Sequence, residues 1–201
     1  MSSAPLRCVV LGRDPSGESH LLLTLLEPTQ GLERCLLRIS RAKGATPPDL
    51  FDEAELWLES RSQGRTWFIK EYRHLARRPG IGRSYASLQA AARLARLVQR
   101  NPVPDESRGP VATLLRQALG ALDAGAAPEV VWFKALYRFL REEGYPVKQQ
   151  WWQGLADVDR TLAATVLQTT ATATAADPAA LAVLLGALEA WVANDTELRL
   201  G

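Results

Sequence analysis

The residues of this 201-residue chain whose types and spacing suggest chemistry lie in the segment RCLLRISRAK, residues 34–43. Side chains two or four residues apart in a strand point the same way, so a strand here would carry two of its arginines on one face. Cations along a strand and its following loop can contact successive phosphates of a nucleic acid without reading its sequence. The predicted phosphate contacts are Arg34, Arg38, Arg41, Lys43 and, from the next basic segment, Arg65.

Charge is sorted along the chain, although the formal net charge is only +2. Residues 61–83 hold seven basic residues against one acid, and residues 49–60 hold five acids and no base. Sorted charge can form a patch even when the total is near zero. The acids could act as paired carboxylates in acid–base catalysis. A solvated strand face that repels edge pairing is the favoured interpretation.

Catalytic and metal-binding patterns are sparse in the sequence. Ser16, Ser19 and His20 lie together, but a hydrolase nucleophile also needs a pocket and an orienting acid. No nucleophile-elbow, phosphate-loop or dinucleotide motif is present. The two cysteines and two histidines lack metal-ligand spacing, and a structural zinc usually needs four ligands. We therefore predict no catalytic residue, metal or cofactor.

Two cysteines and the apolar segments indicate the compartment. Cys8 and Cys35 are expected to be buried thiols, with a disulfide as the alternative. The N-terminus lacks the apolar core of a signal peptide, and no run approaches 18 apolar residues. The chain is expected to be cytoplasmic.

Short apolar runs separated by turns fill the first seventy or so residues. They predict strands over residues 6–11, 20–26, 32–39, 51–58 and 66–72, with DPSG at 14–17 as a turn. Five strands at this spacing predict an OB-fold barrel over residues 1–78, with an SH3-like barrel as the alternative. Trp57, Trp67 and Phe68 could stack on bases, but core positions are favoured for them.

Helical periodicity begins after RRPG, residues 77–80. It predicts helices over 84–99, 110–122, 129–143 and 157–169, and a final helix from 177–178 onward. The fold class is therefore α+β, with an all-helical domain over residues 79–201. The helix at 129–143 combines aromatic and basic residues. A helical core is favoured for the aromatic ones, and the alternative is a groove for a partner peptide, with Trp132, Tyr137, Arg138 and Arg141 as its candidate residues.

The order of these segments resembles that of a known family. The run ESHLLLTLLEPTQGLERCLLRISRAKG has an E-S-D-like turn, an apolar strand, a T-x-G turn and a strand ending in a basic loop. PPDLFDEAELWL follows, and RFLREEGYPV resembles an F-x-x-x-L-x-x-x-G-x-x-P signature in residue order, though not in spacing, through Phe139, Gly144 and Pro146. Residues 5 to about 155 resemble the bacterial DNA repair protein RecO family. The chain departs from it in one respect, since no cysteine follows Cys35 to form the four-cysteine zinc module of many members.

The resemblance implies a non-enzymatic, nucleoid-associated recombination mediator. Such a protein binds single- and double-stranded DNA through its OB domain, anneals strands coated by single-strand binding protein (SSB), and works with RecR to load RecA in gap repair. The acidic SSB tail ends in an apolar residue, and the helix at 132–141 is the candidate site for it. Two alternatives remain: a non-enzymatic interaction adaptor whose basic patch meets an acidic partner, and a hydrolase using Ser19 and His20.

Overall fold

The computed structural model describes residues 5–39, 46–60 and 66–200. The chain forms two compact units, Met1–Arg78 with Pro104–Ala112, and Pro79–Val103 with Thr113–Gly201. The sequence predicts a single boundary after residue 78, whereas the structure groups Pro104–Ala112 with the first unit as well.

A closed five-stranded barrel makes up most of the first unit. Its strands are β1 (Leu6–Ser16), β2 (His20–Glu27), β3 (Gly31–Arg38), β4 (Glu53–Ser60) and β5 (Trp67–Ala76). The strand order is β1-β2-β3-β5-β4, closed by pairing of β4 with β1. Among the strand pairs of the described residues, β3–β5 is parallel and the other four are antiparallel. This arrangement is the predicted OB-fold, so the α+β fold class is confirmed.

The barrel core follows from the alternation of apolar residues along each strand, because successive side chains point to opposite faces. Residues 21, 23 and 25 of β2 and residues 35 and 37 of β3 point inward and are buried. Cys8 and Cys35 are free, buried thiols in this core, as expected.

The first hairpin differs from its predicted form. DPSG was expected to turn the chain, but β1 continues through Ser16 and pairs with β2 down to the Ser16–His20 pair. The turn occupies residues 17–19 instead, where Gly17 has a φ of +64° that glycine adopts without steric cost. Proline is tolerated at position 15 because this end of β1 pairs with β2 alone. The other edge of β1 has no partner strand there that would need an N–H donor.

Six α-helices occur in the described residues, together with two short 3-10 turns. They are α1 (Tyr85–Arg100), α2 (Arg108–Asp123), α3 (Pro128–Glu142), α4 (Trp151–Gly154), α5 (Asp157–Gln168) and α6 (Pro178–Asp195). Ser84 caps α1 by accepting a hydrogen bond from the Ser87 N–H at 3.0 Å, and Gly144 follows α3 with a φ of +78°. No helix in the described ranges is long and apolar enough to cross a membrane.

α4 was not predicted, because a single turn has little intrinsic stability. Tertiary packing supplies it: the Trp151 ring lies 6.1 Å from the rings of both Phe133 and Tyr137 on α3. α3 itself is buried from Val130 to Tyr137, which makes it the centre of the helical unit.

Candidate nucleic-acid interface

Outward-pointing side chains of β2 and β3, with one residue of β5, form a continuous surface on the barrel. They occupy the strand positions that alternate with the buried core residues. We call this surface the β2–β3 face; its members are His20, Leu22, Thr24, Arg34, Leu36, Arg38 and Phe68.

Strand pairing brings the members of the β2–β3 face together. His20 pairs with Arg38, Leu22 with Leu36, and Thr24 with Arg34. The parallel β3–β5 pair places Phe68 beside Leu36. The His20 and Phe68 rings meet edge to face at 6.1 Å across this surface.

The two arginines of the face are separated by apolar surface. Arg34 and Arg38 are both exposed, as the sequence predicted for one side of a strand. Four residues at about 3.3 Å each put their Cα atoms roughly 13 Å apart. Leu22 and Leu36, both half-buried, lie between them.

Three of the five acids of residues 49–60 pair with other arginines. Arg7 contacts Glu53 at 2.7 Å, Arg13 contacts Asp49 at 2.9 Å, and Arg73 contacts Glu55 at 2.5 Å. We call this set, completed by Arg78, the ion-pair region; it comprises Arg7, Arg13, Asp49, Glu53, Glu55, Arg73 and Arg78. Within the described ranges neither Arg34 nor Arg38 has an acidic partner, so the β2–β3 face keeps its positive charge.

Part of the acidic segment is buried, which corrects the expectation of a solvated strand face. Asp52 and Glu53 are 4% and 5% exposed. Buried Arg78 lies 3.5 Å from Glu53 and donates to the Phe51 carbonyl. Phe51 has a φ of +69°, a left-handed conformation that is costly for a bulky residue. The Arg78 contact therefore holds a strained turn in place, and these acids serve structure.

The other three predicted phosphate contacts, Arg41, Lys43 and Arg65, lie outside the described residues. The structure thus brings together Arg34 and Arg38 of the five.

The sequence predicted other roles for two members of the face, His20 and Phe68, and for two nearby tryptophans. His20 was considered as a catalytic base, and Phe68, Trp57 and Trp67 were expected in the core. That expectation is wrong: Phe68 and Trp57 are half-buried, and Trp67 is 39% exposed. Strand alternation in HLLLT and RCLLR could have revealed the β2 and β3 members. Phe68 could not be found that way, because its place depends on the parallel pairing of β3 with β5.

The Ser19–His20 pair lies at the turn that begins β2. Ser19 Oγ is 2.9 Å from His20 Nδ1, at an exposed position. The ring's other described contact is Phe68, so no carboxylate in the described part of the chain orients it. A hydrolytic nucleophile needs such orientation.

Metal and thiol chemistry receive no support from the described geometry. Across residues 5–39, 46–60 and 66–200, no group of three or more His, Cys, Asp or Glu side chains could hold a metal ion. Burial raises the pKa of the Cys8 and Cys35 thiols to about 12. Because the thiolate is the reactive form, both thiols are inert at neutral pH.

The four predicted partner-peptide residues separate into two environments. Trp132 is 1% exposed, donates to Glu189 Oε1 at 2.6 Å and lies 4.2 Å from the Arg93 guanidinium carbon. Tyr137 is buried against Trp151 and Trp152. Both belong to the helical core, the favoured interpretation, because α3 is enclosed by packed helices.

The two arginines of that set lie nearer to solvent. Arg141 is exposed beside Glu142 at 3.1 Å, and half-buried Arg138 lines a groove of about 320 Å³. The Lys134 ammonium also lines it and donates to three carbonyls at the end of α5, those of Val166, Leu167 and Thr169. Burial, with a contribution from Arg138, lowers the pKa of Lys134. None of the described residues lining the groove is acidic.

Comparison with protein-family models finds no match for this chain. Comparison with curated proteins finds none either. The likeness to the RecO family therefore rests on the residues described in the sequence.

Proposed function

We propose that this protein is a DNA-binding recombination and repair mediator that anneals SSB-coated single strands and assists RecA loading with RecR. One observation carries the proposal: Arg34 and Arg38 lie exposed on the β2–β3 face of an OB barrel, while three of the five acids of residues 49–60, Asp49, Glu53 and Glu55, pair with other arginines. In OB-folds this is the side that binds oligonucleotides.

Such a surface suits annealing without covalent chemistry. Two DNA strands repel each other as polyanions, and cations that neutralise phosphates lower that repulsion. Phosphate contacts fix position without reading sequence, so any complementary pair of strands would serve.

The test compares two double variants with the same change of charge. Arg34→Ala with Arg38→Ala removes the exposed arginines of the β2–β3 face. Arg7→Ala with Arg73→Ala removes two arginines that are 58% and 65% exposed but paired with acids. Binding to unrelated single-stranded oligonucleotides is measured by fluorescence anisotropy across a salt series, and annealing is measured on SSB-coated strands.

The first variant should lose roughly tenfold in affinity per arginine, equally for all sequences. Its slope of log affinity against log salt should fall by about 1.4. The second should change little, since each of its arginines is already paired with a carboxylate. Equal losses in the two variants would contradict the proposal, as would annealing that survives loss of Arg34 and Arg38.

For the SSB tail we propose the groove beside Arg138, in place of buried Trp132. It combines two cations with an apolar floor that includes Leu114, Val131 and Ala135. An acidic peptide with an apolar end matches that chemistry. Arg138→Ala should weaken binding of a synthetic tail peptide, whereas Arg141→Ala should not.

The same groove supports the adaptor as the second candidate function, since it suits an acidic partner without any DNA. The adaptor would bind peptide and leave SSB-coated strands unannealed, so the annealing assay separates the two functions.

A further inference from the structure

The imidazole of His74, near the end of β5, lies between an acid and a base. Its Nδ1 atom is buried and 3.7 Å from Asp52 Oδ2. Its Nε2 atom is 2.9 Å from an Arg77 guanidinium nitrogen and 3.1 Å from the Thr46 carbonyl oxygen. Asp52, Arg77 and Tyr72, whose ring centroid is 5.6 Å away, are the titratable and charged groups that contact this ring in the described part of the chain. One ring nitrogen therefore faces a negative group and the other a positive one.

The two contacts of Nε2 exclude each other. A guanidinium can only donate hydrogen bonds, so the Arg77 contact requires a lone pair on Nε2 and places the proton of the neutral ring on Nδ1, towards Asp52. A carbonyl oxygen can only accept, so the Thr46 contact requires a proton on Nε2. The neutral ring therefore binds Arg77, and the protonated ring exchanges Arg77 for Thr46 and repels the guanidinium.

Resting on the proposed function, we infer that Arg77 is a further phosphate-binding residue and that protonation of His74 releases it. Histidine is the side chain that ordinarily changes charge between about pH 5 and 8, so a modest acidification is enough to drive the exchange. After the exchange, Asp52 faces a charged ring, the Thr46 carbonyl gains a donor, and the exposed Arg77 side chain extends into solvent.

Release changes what the Arg77 guanidinium can bind. A guanidinium holds a phosphate best through two parallel N–H donors, and the contact with His74 Nε2 occupies part of that fork. Arg77 directly follows the last residue of β5, away from the end of the strand that pairs with β3. It therefore adds a phosphate contact apart from those of Arg34 and Arg38.

The alternative role for His74 is a permanent tie between β5 and residue 46. Nε2 would then carry a proton at every pH and donate it to the Thr46 carbonyl. That arrangement sets two donors against each other at the Arg77 contact, whose 2.9 Å separation is that of a hydrogen bond. The geometry at neutral pH therefore favours the neutral ring bound to Arg77.

The first measurement uses the full chain and needs no DNA. The chain has two histidines, so His20→Gln assigns their signals, and NMR of the ring nitrogens distinguishes a proton on Nδ1 from one on Nε2. At about pH 7.5 His74 should carry its proton on Nδ1. Arg77→Ala should move that proton to Nε2, because the Thr46 carbonyl then remains as the partner. A proton on Nε2 in the parent chain at this pH would overturn the inference.

The second measurement compares Arg77→Ala with Lys70→Ala, which makes the same change of charge at another exposed position of β5. Affinity for an unrelated single-stranded oligonucleotide is measured across a salt series at about pH 7.5 and about pH 5.5, after circular dichroism confirms folding at both. On acidification, the slope of log affinity against log salt should steepen by about 0.7 more in Lys70→Ala than in Arg77→Ala. Titration of His20 affects both variants and cancels in this comparison. Equal steepening in the two would overturn the inference.

Failure of the inference is distinguishable from failure of the proposed function. Arg34→Ala with Arg38→Ala should weaken binding at both pH values, because the release of Arg77 leaves the β2–β3 face unchanged. If it does so while Arg77→Ala and Lys70→Ala respond equally to acid, only the inference about Arg77 fails. If the double variant changes binding at neither pH, the DNA-binding function fails, and the phosphate role of Arg77 fails with it.

Discussion

Two regions of the same barrel use arginine in opposite ways. On the β2–β3 face, Arg34 and Arg38 are exposed and have no acidic partner in the described part of the chain. In the ion-pair region, Arg7 and Arg73 are also exposed but lie 2.7 Å and 2.5 Å from carboxylates. The difference shows that arginine content alone does not decide where a barrel carries unpaired positive charge; the placement of the acids does.

Burial sharpens the contrast. Arg78 is 9% exposed and shares Glu53 with Arg7, while it also donates to the Phe51 carbonyl. A buried charge that loses its partner is strongly destabilising, whereas an exposed pair contributes little to stability. The ion-pair region therefore stabilises the barrel, and the β2–β3 face leaves its charge available to a ligand.

The largest effect is expected from Arg78→Met. Removing this guanidinium takes a buried cation away from buried Glu53 and deprives the Phe51 carbonyl of its hydrogen bond, so the free energy of unfolding should fall by about 3 kcal/mol. Urea denaturation of the purified chain measures it.

Arg73→Met is the control, because it breaks an exposed pair and should cost less than about 1 kcal/mol. If both variants lose the same free energy of unfolding, the buried arginine does not stabilise the barrel more than the exposed one, and the prediction is wrong.

A second, smaller effect concerns the core beneath both regions, where Cys8 lies on β1 and Cys35 on β3. Burial raises each thiol pKa from 9.0 to about 12 in the folded barrel. Above pH 9 the thiols ionise in the unfolded chain but stay protonated in the folded barrel. Their contribution to the free energy of unfolding is therefore fully present below pH 9 and is lost as pH rises towards 12. Linkage sets the decline at no more than about 1.4 kcal/mol per pH unit for each thiol.

Urea titrations between pH 8 and pH 10 measure this decline. A Cys8→Ala, Cys35→Ala variant should show a flatter pH dependence than the parent chain. If the two profiles are parallel, the thiols do not ionise on unfolding as expected.

The smallest effect should come from Glu55→Gln. This change leaves an arginine of the ion-pair region without its carboxylate, as the arginines of the β2–β3 face are. Loss of this carboxylate leaves Arg73 unneutralised, so single-strand affinity at low salt should rise about twofold, and the gain should shrink as salt screens the charge. Glu129→Gln, at an exposed position on α3, makes the same change of net charge and should have no effect. A gain of equal size in both variants would mean that total charge matters more than its position.

Sequence patterns predicted much of this molecule because they report local geometry. The alternation in RCLLR placed Arg34 and Arg38 on the same side of β3, and the apolar runs located all five strands. Ser84 and Gly144 marked the start of α1 and the end of α3 because capping is decided by neighbouring residues.

Other features depend on contacts between residues distant in sequence. Trp132 resembled a partner anchor by composition but is buried against Glu189, 57 residues away. The single turn of α4 exists because Trp151 packs on α3.

The amino-acid sequence by itself determined the strands, most of the helices and the sidedness of Arg34 and Arg38, since each follows from spacing within a short segment. Tertiary structure alone decided which arginines the acids of residues 49–60 neutralise and that Phe68 joins the β2–β3 face. Both outcomes require strands far apart in sequence to become neighbours, and the pairing of β4 with β1 and β5, and of β3 with β5, makes them so.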